Sequence, residues 1–242
     1  MEPRGTYATT RTRRGGFIFS TVSDTMNHMS DRKVFVFIGP QGSGKGTQAA
    51  LIASRHRYSV VAMSHLLKAE VEKQTPLGAA IDRIMRQGGL VPDESTVQLV
   101  RQFFESCPED ARIVFDGFPR TLQQAQALDT FAPVTRVVHI TLPHEVSVRR
   151  ITGRLICPRG HNYNRYYVRP REEGICDVDG LRLVIRTDDR PEIVAERLKV
   201  YEAMVTHVLD YYSTQGKLVT VNGDASIEVV RQAIEDRIIG DL

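Results

Sequence analysis

The fold is decided by residues 33–47, which read KVFVFIGPQGSGKGT. The run from Val34 to Ile38 is apolar throughout, which is typical of a strand that is buried on both faces. It leads into a loop with four glycines and one lysine, and a helical pattern begins at Thr47. Glycines allow successive backbone N–H groups to turn inward, and a helix N-terminus adds its positive end. The order of strand, glycine loop and helix therefore predicts a phosphate-binding loop.

Within this loop, Lys45 brings a mobile positive charge close to a bound phosphate, as the lysine of such loops does in phosphoryl transfer. The simple motif places Ser or Thr directly after the lysine, whereas here Gly46 intervenes before Thr47. A glycine-rich turn without a ligand is the alternative, but the glycines would then lower helix and strand propensity for no gain. We predict that the phosphates are held by Gly42, Ser43, Gly44, Lys45, Gly46 and Thr47.

Strand and helix patterns alternate along the rest of the chain. Further strands are predicted at 58–62, 112–115, 136–142 and 217–221, and helices at 94–104 and 191–212, among others. This alternation predicts an α/β fold in three layers, with a five-stranded parallel sheet between helices. Residues 153–189 break the rhythm with Gly, Pro, Asn, Tyr, Arg and two cysteines, which indicates an inserted small domain.

The composition is that of an ordinary globular protein, with 41% hydrophobic and 25% charged residues. A formal net charge of +3 is too small to indicate a nucleic-acid partner by itself. No apolar run approaches the roughly 20 residues that span a membrane. Three cysteines, at 107, 157 and 176, favour a reducing compartment over a disulfide framework. We therefore expect a cytoplasmic protein with no nucleic-acid or membrane partner.

Residues 1–30 differ from the remainder, because they are rich in Arg, Ser and Thr and lack periodic hydrophobicity. We interpret them as a disordered leader, or as the product of a start codon upstream of a true start at Met26 or Met29. An organelle transit peptide, which is also Arg-rich and acid-poor, is the alternative. The segment is left out of the predicted fold.

Three further motifs extend the analysis beyond the phosphate loop. They read DGFPRT at 116–121, RITGR at 150–154 and RTDD at 186–189, and Arg197 follows. Together with GxxGxGKGT and the spacing between them, they resemble the adenylate kinases, the long-lid nucleoside monophosphate kinases, over about residues 33–240. The resemblance implies a P-loop core at 31–61, 92–152 and 190–242, a monophosphate-binding insert at 62–91 and a lid at 153–189.

The resemblance implies a monomeric enzyme that transfers a phosphoryl group reversibly from Mg·ATP to AMP and forms two ADP. Such transfer depends on positioning and on electrostatic stabilisation, and it needs no covalent intermediate. Two alternatives stay open: a kinase for another nucleoside monophosphate, and a nucleotide-sensing module with little turnover.

The resemblance also assigns roles on the core side. Asp116, at the end of a buried strand, matches the aspartate that organises the Mg²⁺ shell, and Thr47 is the second expected Mg²⁺ contact. Arg120 matches the arginine that contacts the acceptor phosphate and the transferring group. A structural cap for Asp116 and a surface salt bridge for Arg120 are the alternatives.

Arginines around the predicted lid match those that clamp phosphates in the closed state. They are Arg154, Arg186 and Arg197. Arg150 matches the arginine that stacks on the donor adenine, where a planar guanidinium is suited to an aromatic base. We also place Ala225 in the ATP site, and we expect Asp188 and Asp189 to pair with these arginines.

On the acceptor side, the residues expected to contact AMP are Lys68, Leu90, Val91, Gly117, Arg120, Gln124, Arg186 and Arg197. Gln124 matches the glutamine that reads the adenine edge by paired hydrogen bonds. Lys68 stands where the family has an arginine, so the charge is kept and the two-pronged geometry is lost. We therefore expect a raised KM for AMP.

The predicted lid carries a set of metal-ligand residues. Lids of this family often hold zinc through two Cys-x2-Cys or Cys-x2-Asp pairs. Here the corresponding positions are Cys157, His161, Cys176 and Asp179, which have changed spacing but suit tetrahedral zinc chemically. A metal-free lid, with the cysteines as small buried residues, is the alternative.

Overall fold

The computed structural model describes residues 32–86, 90–185 and 189–241. The strands are β1 (Lys33–Ile38), β2 (Ser59–Ala62), β3 (Arg112–Asp116), β4 (Val134–Thr141), β5 (Arg154–Ile156), β6 (Asn162–Asn164) and β7 (Leu218–Asn222). The helices are α1 (Lys45–His56), α2 (Met63–Glu72), α3 (Pro76–Arg86), α4 (Asp93–Ser106), α5 (Leu122–Asp129), α6 (His144–Thr152), α7 (Pro191–Thr214) and α8 (Ile227–Ile238).

The central sheet has five strands in the order β2-β3-β1-β4-β7, and every neighbouring pair is parallel. The apolar run predicted as a buried strand is β1, in the middle of this sheet, with Val34, Phe35 and Val36 fully buried. The predicted α/β fold with a five-stranded parallel sheet is confirmed. Strand boundaries differ from the sequence pattern by only one or two residues.

Helices cover both faces of the sheet. Alternate residues of β1 point to opposite faces, so Val34 and Val36 join one core and Phe35 and Phe37 the other. The first core packs against α4, α5 and α7, and the second against α1 and α8. The three-layer arrangement follows from a central strand that is apolar on both faces.

The longest helix in the described part of the chain, α7, has 24 residues and packs against α5, α6 and β7. Its buried residues include Val194, Leu198, Val208 and Tyr212. Neither this helix nor any other in the described ranges is long and apolar enough to cross a membrane.

Residues 153–185 contain a small antiparallel sheet and an apolar cluster that are separate from the central sheet and its cores. Strands β5 and β6 pair in antiparallel fashion, and single bridges join Ile156 to Val184 and Ile175 to Arg182. A separate apolar cluster lies here, formed by Leu155, Cys157, Tyr163 and Cys176 with Leu183 packed against it. Residues 181–185 therefore contribute isolated bridges and not a regular strand.

The sheet order brings the predicted phosphate loop and Asp116 together at the carboxyl ends of the strands. Strand β1 lies between β3 and β4, and ligands of such sheets bind in the crevice at the carboxyl ends of the strands. Phe37 of β1 is in register with Asp116 of β3. The glycine loop after β1 and the end of β3 are therefore direct neighbours.

Candidate active site

The glycine loop has a backbone that other residues would strain. Gly42 and Gly44 have φ angles of 81° and 85°, in the left-handed region that favours glycine. A Cβ atom on Gly39 would lie 2.5 Å from Ser43 Oγ and 2.7 Å from the Ile140 carbonyl oxygen. Gly44 is the N-cap of α1, so the helix begins at Lys45, two residues earlier than the sequence pattern indicates. The N-terminus of α1, with its partial positive charge, therefore lies within the glycine loop.

A cavity of about 430 Å³ opens beside this loop, within the usual size of ligand sites. Its walls come from the loop, from the turn after β3, from β5 and from α7. Sequence-predicted residues in the walls are Gly42, Lys45, Leu90, Gly117, Arg120, Arg154 and Arg197. The structure therefore brings together residues from three of the four motifs that the sequence indicated.

Positive charge converges on this cavity. Removal from water lowers the pKa of the Lys45 ammonium, Asp116 raises that pKa, and Arg120, Arg154 and Arg197 lower it further. Lys45 thus lies close to three arginines and to one carboxylate, that of Asp116. The positive charges repel one another when no ligand is bound. A polyanion would stabilise their charged forms, so the cavity favours a polyanionic ligand.

Asp116 lies at the end of β3, against the first turn of α1. A Cβ atom on Gly46 would lie 3.0 Å from Asp116 Oδ2, so the absence of a side chain there lets the carboxylate approach the loop. Asp116 Oδ1 is buried and has no hydrogen-bond partner among the described residues. Thr47 is exposed in the same helical turn. A buried, unpartnered carboxylate oxygen needs a cation or water, and Mg²⁺ prefers oxygen ligands.

Arg120 folds back over the turn that follows Asp116. Its Nε donates to the Gly117 carbonyl at 2.8 Å, which leaves the terminal nitrogens for other partners. Gly117 has a φ of 79°, and a Cβ atom there would lie 3.2 Å from Arg120 Nη2. Glycine at this position therefore allows both the turn and the close approach of the guanidinium.

Among the lid arginines, Arg154 makes a two-pronged ion pair with Asp189. Its Nε and Nη2 donate to the carboxylate at 2.8 and 2.5 Å, and Asp189 is only 2% exposed. The expected pairing of Asp189 with a lid arginine is therefore present. Arg186 and Asp188 lie outside the described residues.

Arg150 lies on α6 beside Gly42 of the glycine loop and the loop after β7, and it is not among the cavity-lining residues. Its Nη1 donates to the Gly223 carbonyl at 3.0 Å, and Asp224 is 3.6 Å from Nη2. The guanidinium carbon is 5.1 Å from the centre of the Tyr167 ring. Ala225, the next residue of the loop, is exposed. Tyr167 was not identified from the sequence, since nothing local indicates that the two side chains meet.

The predicted acceptor residues are not all at the cavity. Leu90 is 71% exposed and lines it, and Val91 follows as a half-buried residue. Lys68 lies on α2 and is exposed, and it is not among the cavity-lining residues. Gln124 is 5% exposed and is hydrogen-bonded to neighbouring protein groups.

One wall of the cavity was missed by the sequence analysis. It consists of a face of α7 that also carries Arg197, namely Glu196, Val200, Tyr201, Met204 and Val205. Val200, Tyr201, Met204 and Val205 follow Arg197 by three, four, seven and eight residues, a spacing that places them on one face of the helix, and Glu196 directly precedes Arg197. The helical spacing around Arg197 was therefore the available signal.

The four metal-ligand residues of the lid come together. Their ligand atoms all lie within 4.8 Å of one another. Cys157 Sγ is 3.1 Å from Asp179 Oδ2, His161 Nδ1 is 3.2 Å from the same oxygen, and Cys176 Sγ is 3.4 Å from His161 Nδ1. Zinc bonds of about 2.0–2.3 Å put tetrahedral ligands roughly 3.3–3.8 Å apart. The residues present therefore fit a zinc ion.

Comparison with known proteins agrees with this geometry. The sequence model of the family "Adenylate kinase" matches residues 37–217. An adenylate kinase of Oceanobacillus iheyensis is 41% identical over 208 residues, covering 83% of this chain and 96% of the relative. Those of Hydrogenobaculum sp. and Treponema pallidum are 36% and 37% identical, each over 84% of this chain and 98% and 97% of the relative. The chain belongs to the adenylate kinase family.

Proposed function

We propose that the cavity beside the glycine loop is where this chain, as an adenylate kinase, transfers the γ-phosphoryl group of ATP to AMP. The observation that carries the proposal is the convergence of Lys45, Arg120, Arg154 and Arg197 around a phosphate loop, with Asp116 facing it. Family membership makes the chain a phosphotransferase of the nucleoside monophosphate kinase type. Two ADP molecules are the products.

The donor nucleotide is held by residues 42–47 in this proposal. Inward-facing backbone N–H groups and the N-terminus of α1 bind its phosphates, and Lys45 neutralises the group in transfer. We assign the donor base to the neighbourhood of Arg150 and Ala225, where it can rest on the planar guanidinium of Arg150. The cation–π contact with the Tyr167 ring holds the guanidinium plane of Arg150 from one side.

Asp116 and Thr47 would hold magnesium. The buried, unpartnered Oδ1 of Asp116 is the observation that supports this assignment. When bound, Mg²⁺ would supply positive charge that neutralises phosphate oxygens. Because Asp116 is the last residue of β3, the strand fixes the position of its carboxylate.

The remaining arginines act on the transferring group. Arg120 is placed to contact the acceptor phosphate, and Arg154 and Arg197 complete the clamp, with Arg186 as the fourth member. Arg154 pairs with Asp189 through Nε and Nη2, so Nη1 lies outside this ion pair and can donate to a phosphate. We propose that closure of a lid at 153–189 and of an insert at 62–91 onto the core (31–61, 92–152 and 190–242) brings the arginines onto the phosphates and excludes water.

On the acceptor side, the proposal assigns AMP binding to Lys68, Leu90, Val91, Gly117, Arg120, Gln124, Arg186 and Arg197. Leu90, Gly117, Arg120 and Arg197 already line the cavity. We also propose a cytoplasmic monomer without nucleic-acid or membrane partners. The cytoplasmic location is supported by Cys107, Cys157 and Cys176, which form no disulfides with one another and so suit a reducing compartment.

The test of the proposed function is a coupled assay of ADP formation from Mg·ATP with AMP, CMP, UMP or GMP. We expect the largest kcat/KM with AMP. A larger kcat/KM with another acceptor would support the alternative monophosphate kinase. Tight nucleotide binding without ADP formation would support a sensing module.

Replacing Lys68 by arginine is expected to lower KM for AMP. A guanidinium donates two parallel hydrogen bonds to a phosphate, and a gain of about 1 kcal/mol corresponds to about a fivefold change. KM for ATP should stay the same, because Lys68 is assigned to the acceptor alone. Steady-state kinetics with each substrate varied measure both constants.

Lys73→Arg is the matched control for this substitution. Lys73 ends the same helix but pairs with Glu70 at 3.0 Å, so KM for AMP should be unaffected. An unchanged KM in Lys68→Arg would show that the lysine does not limit acceptor binding.

We further propose that Cys157, His161, Cys176 and Asp179 hold a structural zinc ion. Elemental analysis should find one zinc per chain, and Cys176→Ser should lower that content several-fold. Chelation should lower the thermal midpoint of unfolding, since a structural zinc contributes to folding free energy.

Cys107→Ser controls for the loss of a thiol, because Cys107 follows α4 far from the other two cysteines in sequence. It should leave the zinc content unchanged. Protein that binds no zinc after incubation with a zinc salt and gel filtration would contradict the zinc site.

A further inference from the structure

A closed hydrogen-bond network surrounds Gln124. Asp93, in the first turn of α4, accepts from Thr121 Oγ1 at 2.5 Å and from Gln124 Nε2 at 2.7 Å. The same Nε2 donates to Thr96 Oγ1 at 3.1 Å. Gln124 Oε1 accepts from the Arg120 backbone N–H at 2.7 Å. Thr96 and Gln124 are each 5% exposed, so this network is shielded from water.

The partners fix which end of the Gln124 amide points where. A backbone N–H can only donate, so it must face Oε1, and a carboxylate can only accept, so it must face Nε2. Thr96 Oγ1 donates its hydrogen to the Asp93 carbonyl at 2.9 Å and is left to accept from Gln124. The amide therefore has a single favourable orientation.

Thr121 closes the network on the other side. Its hydroxyl donates to Asp93, and its oxygen accepts from the Gln124 backbone N–H at 3.1 Å as the N-cap of α5. Asp93 thereby ties the start of α4 to the start of α5, beside Arg120.

We propose that Asp93 is a positioning residue that sets the base selectivity of the acceptor site by holding the Gln124 amide in this orientation. The inference rests on the proposed role of Gln124 in reading the acceptor base. Oε1 keeps a free lone pair, and the longer bond from Nε2 to Thr96 is the one that a ligand can replace. The amide then accepts from an exocyclic amine and donates to a ring nitrogen, which is the edge of a 6-aminopurine.

A 6-oxopurine presents the opposite pattern, a carbonyl beside a ring N–H, and needs the amide turned by 180°. Turning it would put Oε1 against the Asp93 carboxylate and the NH2 group against the Arg120 N–H. Both contacts would pair like with like, and a buried polar group without a proper partner is costly. Asp93 thus selects the base without touching it.

The test compares AMP with inosine 5′-monophosphate, which differs in presenting a 6-oxo group. The kcat/KM of each acceptor is measured with saturating Mg·ATP in the wild-type chain and in Asp93→Asn. We expect the wild type to prefer AMP by on the order of 10³ or more, and the variant to lose about tenfold of that preference. The change should come from KM for the acceptors, with KM for ATP unchanged.

Asp93→Ser is the second variant, since serine is well tolerated at a helix start and also removes the carboxylate. We expect the same loss of preference in it. Thr121→Val is the comparator: it removes the α5 cap and lowers thermal stability, but it keeps the contact between Asp93 and Gln124. Its preference for AMP should equal that of the wild type.

An unchanged AMP preference in the Asp93 variants, measured on folded protein that still phosphorylates AMP, overturns the inference and leaves the proposed function intact. Equal losses with both acceptors would show a purely structural role and also overturn it. If the wild-type chain forms no ADP from ATP and AMP, the proposed function fails, and the inference fails with it.

Discussion

Lys45→Met is expected to reduce kcat by on the order of 10³, which corresponds to about 4 kcal/mol of transition-state stabilisation. Methionine matches the length of the lysine stem and removes the ammonium group. The loop backbone should keep its shape, because it depends mainly on Gly42 and Gly44, and Lys45 adds only a long contact of 3.5 Å from Nζ to the Pro40 carbonyl. The loss should therefore fall mainly on turnover.

The size of this effect follows from where Lys45 lies. Lys45 is half-buried and its ammonium lies among Asp116, Arg120, Arg154 and Arg197, so its field on a phosphoryl group is screened less than in bulk water. Steady-state kinetics give kcat, and titration with ATP gives the dissociation constant, which we expect to change much less than kcat.

Lys199→Met is the matched control for the loss of a lysine charge. Lys199 is exposed on α7 and does not line the cavity. Its kcat should equal that of the wild type. A Lys45→Met variant within tenfold of wild-type turnover would show that the lysine does not stabilise the transferring group.

Arg120→Ala is expected to reduce kcat/KM for AMP by on the order of 10²–10³. The Nε atom is committed to the Gly117 carbonyl, so the guanidinium is already held with its terminal nitrogens available. Such preorganisation stabilises charge in the transition state without a cost of reorientation. The dissociation constant for ATP should change little, because Arg120 is assigned to the acceptor and the group in transfer.

Arg120→Lys separates charge from geometry, and we expect it to remain at least about tenfold below the wild type, because the two-pronged donor is lost. Arg101→Ala is the control. Arg101 stacks on Phe131 and donates to Thr130, on the exposed side of α4. It should affect stability slightly and catalysis not at all. A small effect of Arg120→Ala on catalysis would remove Arg120 from the mechanism.

The central strand and the loop could be predicted because their determinants are local. Val34 to Ile38 can be buried only in the middle of a covered sheet, and Gly42 and Gly44 are needed for positive φ angles. Asp116 was also predictable, since a carboxylate at the end of a buried strand points to the ligand edge of a parallel sheet. Helix α1 begins earlier than predicted because Gly44 serves as its N-cap.

Other features depend on residues that are distant in sequence. The Tyr167 ring stacks against the Arg150 guanidinium, and Arg154 pairs with Asp189, which is 35 residues away in the sequence. The wall formed by Val200 and Tyr201 exists because α7 packs beside the loop. Helical spacing alone indicates which residues of α7 share a face with Arg197, but the contacts themselves arise from the packing of whole helices and strands.

The strand, the phosphate loop and the set of charged residues can be predicted from the amino-acid sequence, because each depends on backbone conformation or residue chemistry over a few positions. Which of those residues meet, and how they are oriented, depends on how the helices and strands pack together. Asp93 and Gln124, 31 positions apart, show this most directly. Each is an ordinary polar residue in its own helix, and a single amide orientation results only when α4 and α5 pack together and exclude water.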